Sequence, residues 1–342
     1  MTGNGRSTWR TRGGVPVPGR PHLRPLALLL SLSLAACTPP ERALLTECIA
    51  PANAGGGWDL TCRLTGQILA DLGLVSGTVP TLNIPGAGGG VAFAYAVGQR
   101  STDERVFFAA SPATTLRLAQ EQYGRLRADD VRWIGALGAE YGIVAVAADA
   151  PWTDLADLME EWARRPEEFV VSGGSAVVGQ DHMKMLLLGR EAGIDPRRIR
   201  YVPFDGGGEA LTALLGGFVH VFSGEASEIE GHLQAGSVRV LAILAPERVG
   251  GLLARVPTAA EAGYGVTWVT WRGYYVPGGV SEDAYAEWVR RLRIVARSEA
   301  WEAARSRARL RPFVMVGREF ESFVMAQVEE FRGLAREIGI VE

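Results

Sequence analysis

One lysine, Lys184, stands among the 35 basic residues of this chain, and the rest are arginine. No Gly-Lys-Ser or Gly-Lys-Thr therefore follows a glycine cluster, which excludes the phosphate-cradling loop of nucleotide hydrolases. The cluster Pro85-Gly86-Ala87-Gly88-Gly89-Gly90 places Val91 where a third dinucleotide glycine should fall, so that fingerprint is missing too. Histidine is scarce, with four residues, and cysteine scarcer, with three. Cys48 and Cys62 are fourteen apart with no histidine near them; that is no metal-ligand set, and no cofactor is expected. Gly-x-Ser-x-Gly is also absent, because Ser175 is preceded by Gly173-Gly174 and followed by Ala176-Val177. An exported serine hydrolase would need that elbow, so catalysis is not expected. No apolar run reaches about 18 residues, the length a membrane-spanning helix requires.

The first 36 residues read as an export signal. Residues 1–25 hold five arginines and no acid, and Leu26 to Ala36 is an apolar run of eleven. The run ends in Leu34-Ala35-Ala36-Cys37, the pattern in which a cysteine directly after the cut receives a lipid. The blander reading is an ordinary signal peptide that contains a cysteine. The lipoprotein reading makes residues 37–43 a tether and places the mature chain outside the cytoplasm, periplasmic or at the cell surface, anchored to a membrane. Without the signal, 30 basic side chains face 38 acidic ones, a net charge near −8. An acidic chain of this kind is not a general nucleic-acid binder. Any anion it captures must be held by local amides and placed side chains rather than by overall charge. In an oxidising compartment Cys48 and Cys62 read either as a disulfide or as two buried thiols.

Ile49-Ala-Pro-Ala-Asn-Ala-Gly-Gly-Gly-Trp-Asp-Leu-Thr-Cys-Arg63 carries the strongest local pattern, an apolar run entering a glycine turn that opens into a helix. Helix starts carry unpaired N–H groups and a partial positive charge, so this arrangement is a seat for a carboxylate or phosphate. The same scheme recurs at Val170–Ser175 leading to the apolar helix Met183–Leu188, and at Tyr201–Glu209; Ser111–Thr115 supplies hydroxyls at another helix start. Strands are expected at Leu45–Ala50, Thr81–Ile84, Val106–Ala110, Ile134–Ala136, Gly142–Ala147, Phe169–Ser172, Ile199–Pro203, Val219–Ser223, Val238–Ala245 and Tyr274–Pro277. Helical spacing links Leu155, Leu158, Met159 and Trp162 after Thr153, and Tyr285, Trp288, Val289 and Leu292 after Ser281. Phe320, Phe323, Val324, Val328, Phe331 and Leu334 mark a long C-terminal helix. Such alternation predicts an α/β fold with largely parallel sheets. The 342 residues, 47% of them hydrophobic, suit two lobes.

At this point the residues resemble a known family. Glu47-Cys48-Ile49-Ala50-Pro51 through Arg63, Asn83-Ile84-Pro85-Gly86-Ala87-Gly88-Gly89, Val202-Pro203-Phe204, Leu215-Gly216-Gly217, Gln234 to Ala242, Val256-Pro257-Thr258-Ala259-Ala260-Glu261-Ala262-Gly263-Tyr264 and Trp271-Arg272-Gly273 resemble the tripartite tricarboxylate transporter substrate-binding proteins, the Bug family. The resemblance implies an α/β, two-lobed periplasmic-binding-protein-like fold of type II, with two sheets flanked by helices and a ligand cleft between lobes. It implies lobe 1 at 44–145, lobe 2 at 146–268, and a crossover with C-terminal helices returning over lobe 1 at 269–342. The implied function is capture of a small di- or tricarboxylate by a monomer and its delivery to integral membrane permease subunits. A lipid-anchored sensor for a signalling partner is the alternative.

Carried onto this chain, the ligand loops are Asn53 to Asp59, with Gly56, Gly57 and Trp58, and Gly174 to His182, with Ser175 and Gln180. Ser111, Thr114, Phe204, Asp205 and Gly206 complete the walls. Many members have Pro-Pro-Gly-Gly or Lys-Pro-Gly-Gly where this chain has Asn53-Ala54-Gly55-Gly56, which leaves the role of Asn53 open. Several of these residues have a structural reading as well. Asp59 complements the dipole of its helix, Asp205 shapes a turn, Trp58 packs, and Ser175 and His182 cap the helix that follows. Arg272 either supplies a bidentate charge to a second ligand carboxylate or is a surface or interlobe arginine.

Overall fold

The computed structural model describes residues 45–204 and 206–341. The expected signal, Cys37 and Asp205 lie outside them. The first half of the fold strings together β1 (Glu47–Ala50), α1 (Gly57–Asp71), β2 (Thr81–Asn83), α2 (Gly90–Val97), β3 (Val106–Ala110) and α3 (Pro112–Ala119). β1 pairs in parallel with both β2 and β3. All five residues of β3 are buried, as a parallel strand covered on both faces requires.

β4 (Val131–Ala147) then runs for 17 residues. The sequence predicted two strands here, Ile134–Ala136 and Gly142–Ala147, and the structure corrects this to one. Gly135 and Gly138 punctuate the pattern without turning the chain. They are points of close approach, where a Cβ would lie 2.7 Å from Val316 and 3.2 Å from Leu310.

The second half carries α4 (Leu155–Arg164), β5 (Val170–Gly173), α5 (Gln180–Glu191), β6 (Arg200–Pro203), α6 (Gly207–Leu215), β7 (Val221–Glu225), α7 (Glu230–Gln234) and β8 (Val238–Ile243). β5 is parallel to β6 and β7. The chain returns through β9 (Val269–Pro277), α8 (Glu282–Ala296), α9 (Glu299–Arg307), β10 (Arg311–Val316) and α10 (Arg318–Glu337). The strand order is β2-β1-β3-β9-β4-β7-β5-β6, with β10 and β8 also paired to β4. The two wings are parallel, as expected of largely parallel sheets, but the centre is antiparallel. β4 pairs with β9 along Val131–Tyr141 and with β7 and β8 along Gly142–Ala147, so this one strand belongs to both sheets and joins them.

The amphipathic helices dock as their spacing predicted. α4 buries Leu155, Leu158, Met159 and Trp162, although its N-cap is Asp154 rather than Thr153. The Asp154 side chain accepts the Asp157 N–H at 2.9 Å. α8 buries Tyr285, Trp288, Val289 and Leu292 beneath the Ser281 cap, and each large apolar side chain of this kind contributes about 1.5–3 kcal/mol by leaving water. Cys48 on β1 and Cys62 on α1 form a disulfide with Cα atoms 5.6 Å apart, which ties strand to helix beneath the first glycine loop. Among the described residues, no helix is long and apolar enough to cross a membrane.

Candidate functional site

The first glycine loop leaves the carboxyl end of β1 and is held from the inside by Asp59. The Asp59 carboxylate accepts the Gly55 N–H at 2.9 Å, the Asn83 amide at 3.0 Å, and two Arg63 N–H groups at 2.8 and 3.0 Å. The hydrogen bond from Arg63 is the largest cause that holds its pKa down to about 2. Asp59 is therefore an ionised brace of the loop. Asn83, which the sequence reading did not select, also donates to the Ala52 carbonyl at 2.9 Å and pins the loop from β2. Gly56 caps α1 with no side-chain hydrogen bond, so among the described residues no side chain covers the first-turn amides of Gly57 and Trp58 by capping. Asn53 is exposed, and its carbonyl accepts the Gly56 N–H at 3.3 Å.

Trp58 and Ser111 come together, the indole N–H donating to Ser111 Oγ at 3.1 Å. The same Oγ accepts the Ala113 N–H at 3.3 Å, and Thr114 closes the capping box of α3. Ser111 and Thr114 are both buried. Arg272, on the crossing strand β9, lies against α1: a Cβ on Gly57 would stand 2.8 Å from its Nη1. Its Nη2 donates to Glu140 Oε1 at 2.7 Å, and the other oxygen of Glu140 accepts from Ser227. The arginine is thus beside the first glycine loop, already partnered by one carboxylate.

In the second half, Ser175 Oγ accepts the Asp181 N–H at 3.0 Å, while Gly179 caps α5 without a side chain. His182 accepts the Val178 N–H at Nδ1, 3.0 Å away, which places its proton on Nε2. That Nε2 is buried without a partner among the described residues, and Gln180 Oε1 likewise. Burial lowers the His182 pKa to about 4, and its ring stacks on Tyr201 at 4.5 Å. Val178 adopts φ 62°, a strained conformation for a β-branched residue. Its carbonyl accepts the side chain of Gln120, from the end of α3, at 2.8 Å. This bond joins the two halves directly, and the sequence carried no signal for it. Phe204 packs into the second-half core and donates its N–H to the Gly173 carbonyl at 3.0 Å. Gly206 caps α6.

Two loops at the carboxyl ends of parallel strands, each opening an α-helix capped by glycine, form the arrangement in which α/β proteins hold anions. Among the described residues no group of acidic, cysteine and histidine side chains could hold a metal. The sequence profile of the tripartite tricarboxylate transporter family receptors matches residues 74–340. The chain belongs to this family. Its members are substrate-binding receptors rather than enzymes. This receptor is 24% identical to protein BugT of Bordetella pertussis over 314 residues, which cover 91% of this chain and 93% of BugT. In structure it is similar to a TctC solute-binding protein from Polaromonas, with a TM-score of 0.74, 21% identity, and coverage of 88% and 100% of the two chains. It is also similar to an R. palustris protein solved with adipate, with a TM-score of 0.69, 22% identity, and coverage of 86% and 97%. The α/β fold of the receptor matches those proteins, with a mixed sheet and flanking helices.

Proposed function

We propose that this receptor is an extracytoplasmic lipoprotein that captures a small di- or tricarboxylate and delivers it to the membrane subunits of a tripartite tricarboxylate-type transporter. The observation that carries this reading is the pair of glycine-capped helix starts, α1 and α5, each at the carboxyl end of a parallel strand in a different half of the sheet. One carboxylate engages the amides of Gly57 and Trp58, and a second engages the loop from Gly174 to His182. Nε2–H of neutral His182 supplies a further donor there. Amides suit an acidic protein, because they attract an anion without needing a net positive charge. The adipate bound to the R. palustris relative agrees with this class of ligand. The lobes are 44–145 and 146–268, with residues 269–342 returning over the first. Cys37 carries the lipid, and the export signal precedes it.

Thermal melting of the mature protein with a panel of organic acids tests the reading. A ligand at a hundred times its Kd stabilises the folded state by about 2.7 kcal/mol, a clear rise in Tm. A di- or tricarboxylate should produce it and acetate should not. Stabilisation by an uncharged sugar or a peptide, with no response to any acid, would show that the seat is not built for carboxylates.

A further inference from the structure

The only lysine of the chain lies under the second seat. Lys184 is fully buried, and its Nζ donates to Asp181 Oδ1 at 2.9 Å, to Glu225 Oε1 at 2.8 Å and to the Gly224 carbonyl at 2.9 Å. Three acceptors use all three N–H bonds of one ammonium. A guanidinium, planar and larger, does not match that geometry. The stem runs against Gly142 on β4, where a Cβ would stand 2.9 Å from both Cδ and Cε. A chain that uses arginine at every other basic position thus keeps lysine where only a compact charge fits.

The groups around this ammonium come from every element packed on it. α5 supplies Asp181, in the first helical turn, whose N–H is held by Ser175. β7 supplies Glu225, which also accepts Thr270 Oγ1 from β9 at 2.8 Å. Glu228 follows, accepting the Glu225 N–H at 2.7 Å and lying against Gly207 at the start of α6. β4 adds Glu140, paired with Arg272, and β6 adds the Tyr201 phenol. Burial pushes Glu228 up to about 7 and Glu225 above its ordinary value. Burial opposes the charge of Lys184 as well, but Asp181 and Glu225 outweigh it and keep the amine protonated. A floor of carboxylates beneath an anion seat repels the ligand unless a cation balances it. One unit charge about 8 Å away, at an effective dielectric of about 20, changes the affinity for an anion roughly thirtyfold.

We propose that Lys184 is a positioning residue that makes the second seat permissive for a carboxylate. It fixes the first turn of α5 through Asp181 and cancels negative charge that would otherwise act on the ligand. The inference rests on the carboxylate reading proposed above. Its test uses two ligands of equal length, a dicarboxylate that binds and the corresponding monoamide, titrated at pH 8 into wild-type, Lys184→Met and Asp181→Asn proteins by calorimetry. A residue with only a packing role would change both affinities together. Charge balance instead changes their ratio, so Lys184→Met should lower the preference for the dicarboxylate by roughly thirtyfold and Asp181→Asn should raise it. If Lys184→Met does not fold, Asp181→Asn, which is isosteric and retains the lysine, decides alone. An unchanged ratio in either folded variant overturns the proposal. Failure of the wild type to bind any dicarboxylate overturns the carboxylate reading itself, and the inference falls with it.

Discussion

Asp59 and His182 brace the two loops through opposite chemistry, and acid reaches them in different ranges. Asp59 titrates near 2 when folded against an ordinary 3.8. The stability it contributes is therefore complete above about pH 4 and is lost as pH falls towards 2. His182 is buried neutral with a pKa near 4 against an ordinary 6.5. The unfolded chain binds the extra proton between those values, so this contribution is present above 6.5 and is lost as pH falls to 4. Glu228, pushed up to about 7 by burial, gains stability over the same range and opposes this loss, so the readout is the difference between proteins. From pH 7 to pH 4 the Tm of His182→Asn, which retains an acceptor for Val178, should rise relative to that of the wild type. Parallel profiles would remove His182 from that window. Gly57→Val addresses the first seat, because any side chain there meets the Arg272 guanidinium. It should abolish ligand binding and leave a cooperative melt, whereas normal binding would place the seat elsewhere. Side-chain roles were only partly legible at this scale. Asp59 as a dipole-complementing acid follows from its place in the first turn, but its bond to Asn83 depends on how β2 lies beside β1. The partner of Arg272, Glu140, is 132 residues away, and no local pattern points to it.

Elements were more legible than side chains, and the errors share one physical cause. Sequence patterns mark glycine as a breaker, yet Gly135 and Gly138 continue β4 because β10 and the residue before it press against their bare Cα atoms. β10 escaped the sequence reading for a related reason. It alternates between half-buried and exposed positions and contains Pro312, features of a strand that does not lie in the core of a sheet. The pairing of Cys48 with Cys62 was left open by their spacing, since a strand and the following helix can hold two cysteines either bonded or apart. The bond closes a loop with a separation of 14 residues, and a loop of about that size contributes on the order of 3 kcal/mol in the chain-entropy account. Reducing the mature protein should lower its Tm by several degrees. An unchanged Tm, with both thiols shown to be free, would contradict that contribution.

For the whole molecule, α/β alternation and repeated strand, glycine turn and helix units carried the fold class, because each unit is a local pattern. The long β4 and the return of β9 through the middle of the sheet are non-local, and they alone decide that the two sheets are continuous. The same crossing strands place the two glycine loops in one fold, and the bond from Gln120 to Val178 links the halves directly. On the proposed reading, such a pair of loops gains from a ligand with a charge for each loop. A ligand with one charge engages only one of them. The most direct measurement is calorimetric titration of the mature receptor with a dicarboxylate and with the monocarboxylic acid of equal chain length. Two seats predict binding of the dicarboxylate at least tenfold tighter, as one added charge-assisted contact of about 1.5–3 kcal/mol requires. Equal affinity for the two acids, or binding of neither, would contradict the account.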